Sequence, residues 1–145
     1  MPYRVSFSPR EALGVVELSG EVIWGDVAGA LCALLGHPAW LPPYSVLWDA
    51  RAVEAVDVSP ADLPGARGLM EALASSRAGG RSAVVVKGER EARLADVLDG
   101  LGPPTTREVR AFYVLDEAVW FLGRRSLPAS MPVIAASTPL APSLP

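Results

Sequence analysis

Asparagine and glutamine are absent from this 145-residue chain, and cysteine, histidine and lysine occur once each, as Cys32, His37 and Lys87. A single cysteine excludes an internal disulfide and fits a reducing compartment. One histidine and one cysteine are too few for the usual zinc ligand sets, so no metal is expected. They also make a poor nucleophile and base. His37 lies beyond the i+4 neighbour of Cys32 and past Gly36, and no third group stands nearby to orient it. The chain has neither a Walker loop nor a dinucleotide-type glycine fingerprint, so no cofactor is expected. With a net charge of -3, a pI near 5.1 and no basic run, it lacks the electrostatic footprint of a nucleic-acid binder. No apolar stretch approaches the roughly 18 residues of a membrane span. Met1-Pro2-Tyr3-Arg4-Val5 does not lead from a basic segment into an apolar run, so no signal peptide is expected and the expected location is the cytoplasm. Missing amides and arginine in place of lysine point to a GC-rich, bacterial genome.

What remains is an ordinary single-domain length, enough to bury roughly two thirds of the unfolded surface without staples. Tyr3–Ser8 and Leu13–Ser19 are short β-prone runs separated by Pro9-Arg10-Glu11-Ala12, which predicts an antiparallel N-terminal edge. From Gly25 the period changes: Val27, Ala30, Leu31, Leu34 and Leu35 share one helical stripe. Gly36 then stops the helix in the left-handed conformation open to glycine. After the proline-rich loop 37–43, Tyr44–Trp48 is continuously apolar and reads as a strand covered on both faces. It ends on Asp49-Ala50-Arg51.

A second helix is expected from about Asp62 or Leu63 to Ser76, because Pro64 is best placed near a helix start. It should bury Ala66, Leu69, Met70 and Leu73. Ser82–Lys87, with Ala83-Val84-Val85-Val86, is another doubly buried strand. A third helix from Glu89 carries Leu94, Val97, Leu98 and Leu101 at helical spacing and ends at Gly102-Pro103-Pro104. Arg107–Val114 is the last strand and Asp116–Leu122 a closing helix. The alternation predicts an α/β domain over residues 1–123, with a mostly parallel mixed sheet of four or five strands and helices packed on it. Residues 124–145, rich in Pro, Ser and Ala, show neither period and read as a tail. Its Met131-Pro132-Val133-Ile134 patch is apolar enough to dock.

Gly36-His37-Pro38-Ala39-Trp40, Tyr44-Ser45-Val46-Leu47-Trp48-Asp49-Ala50-Arg51, Val109-Arg110-Ala111-Phe112 and Leu115-Asp116-Glu117-Ala118-Val119-Trp120 together resemble the SpoIIAA-like family of the STAS superfamily. That superfamily comprises anti-sigma-factor antagonists and sulphate-transporter domains. The likeness spans residues 3 to 123. It implies a single STAS-like, non-enzymatic regulatory or protein-binding module. In partner-switching members a serine at the start of the helix after the central strand is phosphorylated, within Asp-Ser-Ser-Gly. Here the stretch is Asp57-Val58-Ser59-Pro60, so Ser59 alone is left to carry such a switch. Other relatives resemble the lipid-carrying Sec14 domains, which implies a lipophilic pocket or docking at a membrane surface.

Ser59 has two readings: a phosphorylation site adding roughly -1.5 to -2 charges beside Asp57 and Asp62, or a plain helix cap. Asp49 and Lys87, each placed at the carboxyl end of its strand, are expected to be neighbours, with Arg51 beside them for an anionic group. The bland alternative there is a solvated ion pair. Trp24 and Trp40, at the margins of the first helix, suit an interface, whereas Trp48 belongs in the core. Asp49, Arg51, Asp57, Lys87, Trp24 and Trp40 are thus the candidate ligand or partner surface. A protein partner is expected first, and a homodimer is compatible with it. A carrier or sensor of a small lipophilic molecule is the alternative, and an enzyme the third reading.

Overall fold

The computed structural model describes residues 2–100 and 107–137. In chain order its elements are β1 (Tyr3–Ser8), β2 (Leu13–Ile23), α1 (Trp24–Leu35), β3 (Ser45–Asp57), α2 (Leu63–Ala72), β4 (Arg81–Val85), α3 (Glu89–Gly100), β5 (Glu108–Phe112), α4 (Leu115–Phe121) and β6 (Val133–Ala136). The six strands form one sheet in the order β5-β4-β3-β2-β1-β6. β2 through β5 run parallel, and β1 pairs antiparallel with both β2 and β6. The α/β class and the mixed sheet are as expected, with one more strand.

The predicted stripe of α1 is its buried face: Val27, Ala30, Leu31, Leu34 and Leu35 all join the core. Together with Ala66 and Met70 of α2 and Leu94 and Leu98 of α3, they cover one side of the sheet, meeting Val5, Phe7, Val16, Trp48, Val53 and Val84. On the opposite side α4 is the one helix among the described residues: its Ala118, followed by Leu122, packs on Leu13, Leu47, Ala83 and Val85, and Leu127 and Met131 of the following segment pack on the same cluster. This asymmetry, three helices against one, decides where the molecule is bare.

Four expectations need correction. β3 does not end at Asp49 but continues to Asp57. An acid need not stop a strand when its side chain faces the helix-poor side, and Ala50 and Val53 still point into the core. The N-terminal hairpin is not an edge, because Val133–Ala136 adds β6 outside β1, within the stretch read as a tail. Phe7 N donates to Pro132 O at 3.0 Å and Ser137 N to Tyr3 O at 3.0 Å, extending that pairing. Gly36 ends α1 with φ -85, not in the left-handed region. Its need is steric: a methyl there would stand 2.5 Å from the Cys32 carbonyl oxygen. β5 stops at Phe112, leaving Tyr113 and Val114 exposed. Leu101 and the Gly102-Pro103-Pro104 stop lie outside the described residues.

Arg107, expected to open a strand, instead precedes β5 and is 5 % exposed. Its Nε donates to Arg77 O, Nη1 to Arg81 O and Ser82 Oγ, and Nη2 to Pro42 O and Tyr44 O, at 2.7–3.2 Å. One guanidinium thus ties together the loops that enter β3, β4 and β5, with the Trp40 ring 5.7 Å below it. Burial first, and the neighbouring Arg77 charge second, push its pKa down to about 10, so it stays protonated at neutral pH.

Candidate functional site

Along β2, Leu13, Val15, Glu17 and Ser19 face the helix-poor side. Leu13 and Val15 belong to the α4 cluster, whereas Glu17 and Ser19 lie beyond it. β3 repeats the pattern in register: Leu47, opposite Val15, is buried, and Asp49, opposite Glu17, borders solvent. Parallel strands are almost always covered on both faces, because their crossover helices pack there. Here no described residue covers the β2–β3 ladder past α4. Its open side forms a groove of about 600 Å³ bordered by Arg4, Glu17, Ser19, Asp49, Arg51 and Ala52.

Two ion pairs line that groove. Arg4 Nε stands 3.7 Å from Glu17 Oε2 across the β1–β2 pairing. Arg51 grips Asp49 with both prongs, Nε to Oδ1 at 2.9 Å and Nη2 to Oδ2 at 2.8 Å, and its amide also donates to Oδ1 at 3.1 Å. That bite follows from a bulge. The register runs from Glu17↔Asp49 to Ser19↔Ala52, so β3 carries an extra residue there, and such an insertion re-aims a side chain. The result is a row of charges, Arg4, Glu17, Asp49, Arg51, in which two adjacent carboxylates are each held by an outer arginine.

Adjacent carboxylates invite comparison with an acid–base pair, but the electrostatics run the other way. Burial alone would raise the Asp49 pKa. The Arg51 side-chain bonds, its amide and its charge outweigh that and hold Asp49 below the ordinary 3.8. A general acid needs a raised value. A carboxyl depressed on folding stabilises the fold above pH 3.8, and that contribution is lost as pH falls through the lower folded value. For a half-exposed pair it amounts to about 0–1 kcal/mol. Asp49 is therefore held in its charged form.

Of the other predicted residues, Asp57, Ser59, Trp24 and Trp40 do not join Asp49 and Arg51. Ser59 follows the end of β3, ten residues beyond Asp49, a separation on the order of 30 Å along an extended strand. Asp57 is the exposed last residue of β3, and Lys87 is exposed past the end of β4. Asp49 pairs with Val85, the last residue of β4, so Lys87 follows two residues past that pair, whereas Ser59 lies beyond the far end of β3. Trp24 and Trp40, expected at a surface, are 9 % and 7 % exposed. Trp40 packs edge-on against Tyr44, and its Nε1 donates to Ser76 O at 2.9 Å. Arg4, Glu17 and Ser19 escaped the sequence reading because nothing in an alternating strand says which face a helix will leave bare.

Ser59 stands at an N-cap position. Its amide donates to Asp62 Oδ2 at 2.9 Å and its hydroxyl to the same oxygen at 3.2 Å, at the head of a 3₁₀ turn, Pro60–Asp62, that leads into α2. Ser59→Ala keeps the amide bond and loses only the hydroxyl bond. It is expected to cost no more than about 1 kcal/mol, and Asp62→Ala, which removes both, somewhat more, as read by urea denaturation. Inside the core, a cavity lined by Leu31, Leu35, Trp48, Leu98 and Val109 measures about 10 Å³. That is room for about one water, not for a lipid chain.

No protein-family model matches this chain, and no curated protein does. Among solved structures it is similar to an uncharacterized protein from the DUF3478 family with a SpoIIAA-like fold, from Shewanella loihica PV-4. Identity is 18 % over 83 % of this chain and 91 % of that one, with a TM-score of 0.48. The fold named there is the one resembled in the sequence. No residue role passes from that protein to this one.

Proposed function

We propose that this chain is a non-enzymatic, regulatory protein-interaction module of the STAS type, and that it binds its partner through the bare face of the β2–β3 ladder. The observation that carries the reading is the parallel pair itself, which no described residue covers past α4 and which holds the row Arg4, Glu17, Asp49, Arg51. A bare parallel face is open to an element supplied from outside. Charges in both signs, already paired and desolvated in part, favour a partner that exchanges ion pairs with them, which sets register and specificity more than affinity. The depressed Asp49 suits this role better than proton transfer. Among the described residues no helix is long and apolar enough to cross a membrane.

The test is site-specific photo-crosslinking in the native host. A photoreactive residue at Ala52 is expected to give a discrete protein adduct that fades when Arg51→Glu is added. An Ala52 probe that yields no adduct, or one indifferent to Arg51→Glu, would contradict the reading.

A further inference from the structure

A second surface shares no residue with that face. α4 buries Ala118 and Val119 and turns Trp120 outward, 78 % exposed, beside exposed Tyr113 and Val114. Nothing in a seven-residue helix requires an indole on its wet face, and large exposed aromatics concentrate at binding sites. Trp120 borders a groove of about 1060 Å³ whose basic residues include Arg81, Arg110 and Arg125. The guanidinium groups of Arg81 and Arg110, from adjacent strands, both lie over the Phe121 ring, at 5.1 and 5.3 Å. Arg81 Nη1 also donates to Phe121 O at 2.8 Å. Two cations thus share one aromatic ring, and the bond to the Phe121 carbonyl fixes the direction of Arg81. Among the described residues, Arg81, Arg110 and Arg125 have no carboxylate within ion-pair distance. On a chain whose net charge is -3, this groove is locally basic, its arginines Arg81, Arg110, Arg124 and Arg125 outnumbering Asp116 and Glu117.

We infer that this groove binds a short acidic segment of a partner protein. Carboxylates of the segment seat on Arg81 and Arg110, whose forks favour bidentate contact, and an apolar side chain packs on Trp120. An anionic membrane fits less well. Asp116 and Glu117 share the groove, and a flat anionic surface would be pressed against them, whereas a peptide sets its charges only where the arginines are.

The experiment is selection from a random-peptide display library on the full chain, followed by titration of the selected peptides. Trp120 is the exposed one of four tryptophans, so its emission reports the site, and Trp120→Phe removes that signal. The expected result is enrichment of Asp- and Glu-rich peptides carrying one large apolar residue. They should shift the Trp120 emission, weaken with salt, and bind about tenfold or more worse to Arg110→Glu and to Trp120→Ala. Both residues are exposed, and circular dichroism checks that the variants fold. Selected peptides without acidic bias, or equal binding to both variants, would overturn the inference. So would no selection at all, or binding of phosphatidylserine vesicles with the same variant dependence in place of peptides.

Discussion

Arg107→Ala is expected to cost about 3–5 kcal/mol, more than any surface substitution in this chain, because it strands a whole set of buried acceptors. The guanidinium uses its Nε and both terminal nitrogens on four carbonyls and one hydroxyl, from the loop before β3, the turn before β4 and the start of β4 itself. Removing it leaves the carbonyls of Pro42, Tyr44, Arg77 and Arg81 without that donor at the entrance to the parallel strands. Relief of repulsion from Arg77 offsets only part of this. Arg107→Lys should recover little, since an ammonium has three donors where the guanidinium has five, and no planar fork. Exposed Arg110→Ala is the control, expected within about 0.5 kcal/mol of the parent. Urea denaturation measures all three. An Arg107→Ala midpoint within about 1 kcal/mol of the parent would mean that these bonds form equally well with water.

The second large effect is in the α1 contact. Leu34 is fully buried, and a Cβ at Gly14 would come within 2.6 Å of its Cδ1 and 2.7 Å of its Cδ2. Leu34→Ala is therefore expected to cost about 3–5 kcal/mol through transfer and cavity terms. Gly14→Ala should cost about 1–3 kcal/mol, because Leu34 has no space to retreat into. Combined, the two should cost less than their sum by about 1 kcal/mol or more, since the new methyl fills part of the hole. Strict additivity in the same denaturation series would show that Gly14 and Leu34 do not limit each other.

The helices and the class of the sheet were legible because burial on one side writes a period into the sequence. The α1 stripe and the apolar runs Val46–Trp48 and Ala83–Val86 carry that record. Boundaries that depend on tertiary cover were not legible. Asp49 reads as a strand end until one knows that its face is bare, and Val133–Ala136 reads as tail until β1 is there to pair with it. Arg107 showed no local signal, because its acceptors lie 63 and 65 residues away at Tyr44 and Pro42 as well as nearby. The site was half visible: Asp49 and Arg51 stood out as charges after an apolar strand. Their neighbours Arg4 and Glu17 come from strands whose register only the fold sets. Ser59 lies ten residues past Asp49 and Trp24 and Trp40 are buried, so the structure sets these three apart, while Lys87 follows two residues after Val85, the partner of Asp49.

The central claim is that the ladder face is open in the isolated chain and covered in its working state. Thiol labelling of Ala52→Cys, in a Cys32→Ser background that removes the exposed native thiol, measures this directly. The account predicts rapid modification in the purified protein and strong protection inside intact host cells, with protection abolished by Arg51→Glu. Equal labelling in both settings would contradict it.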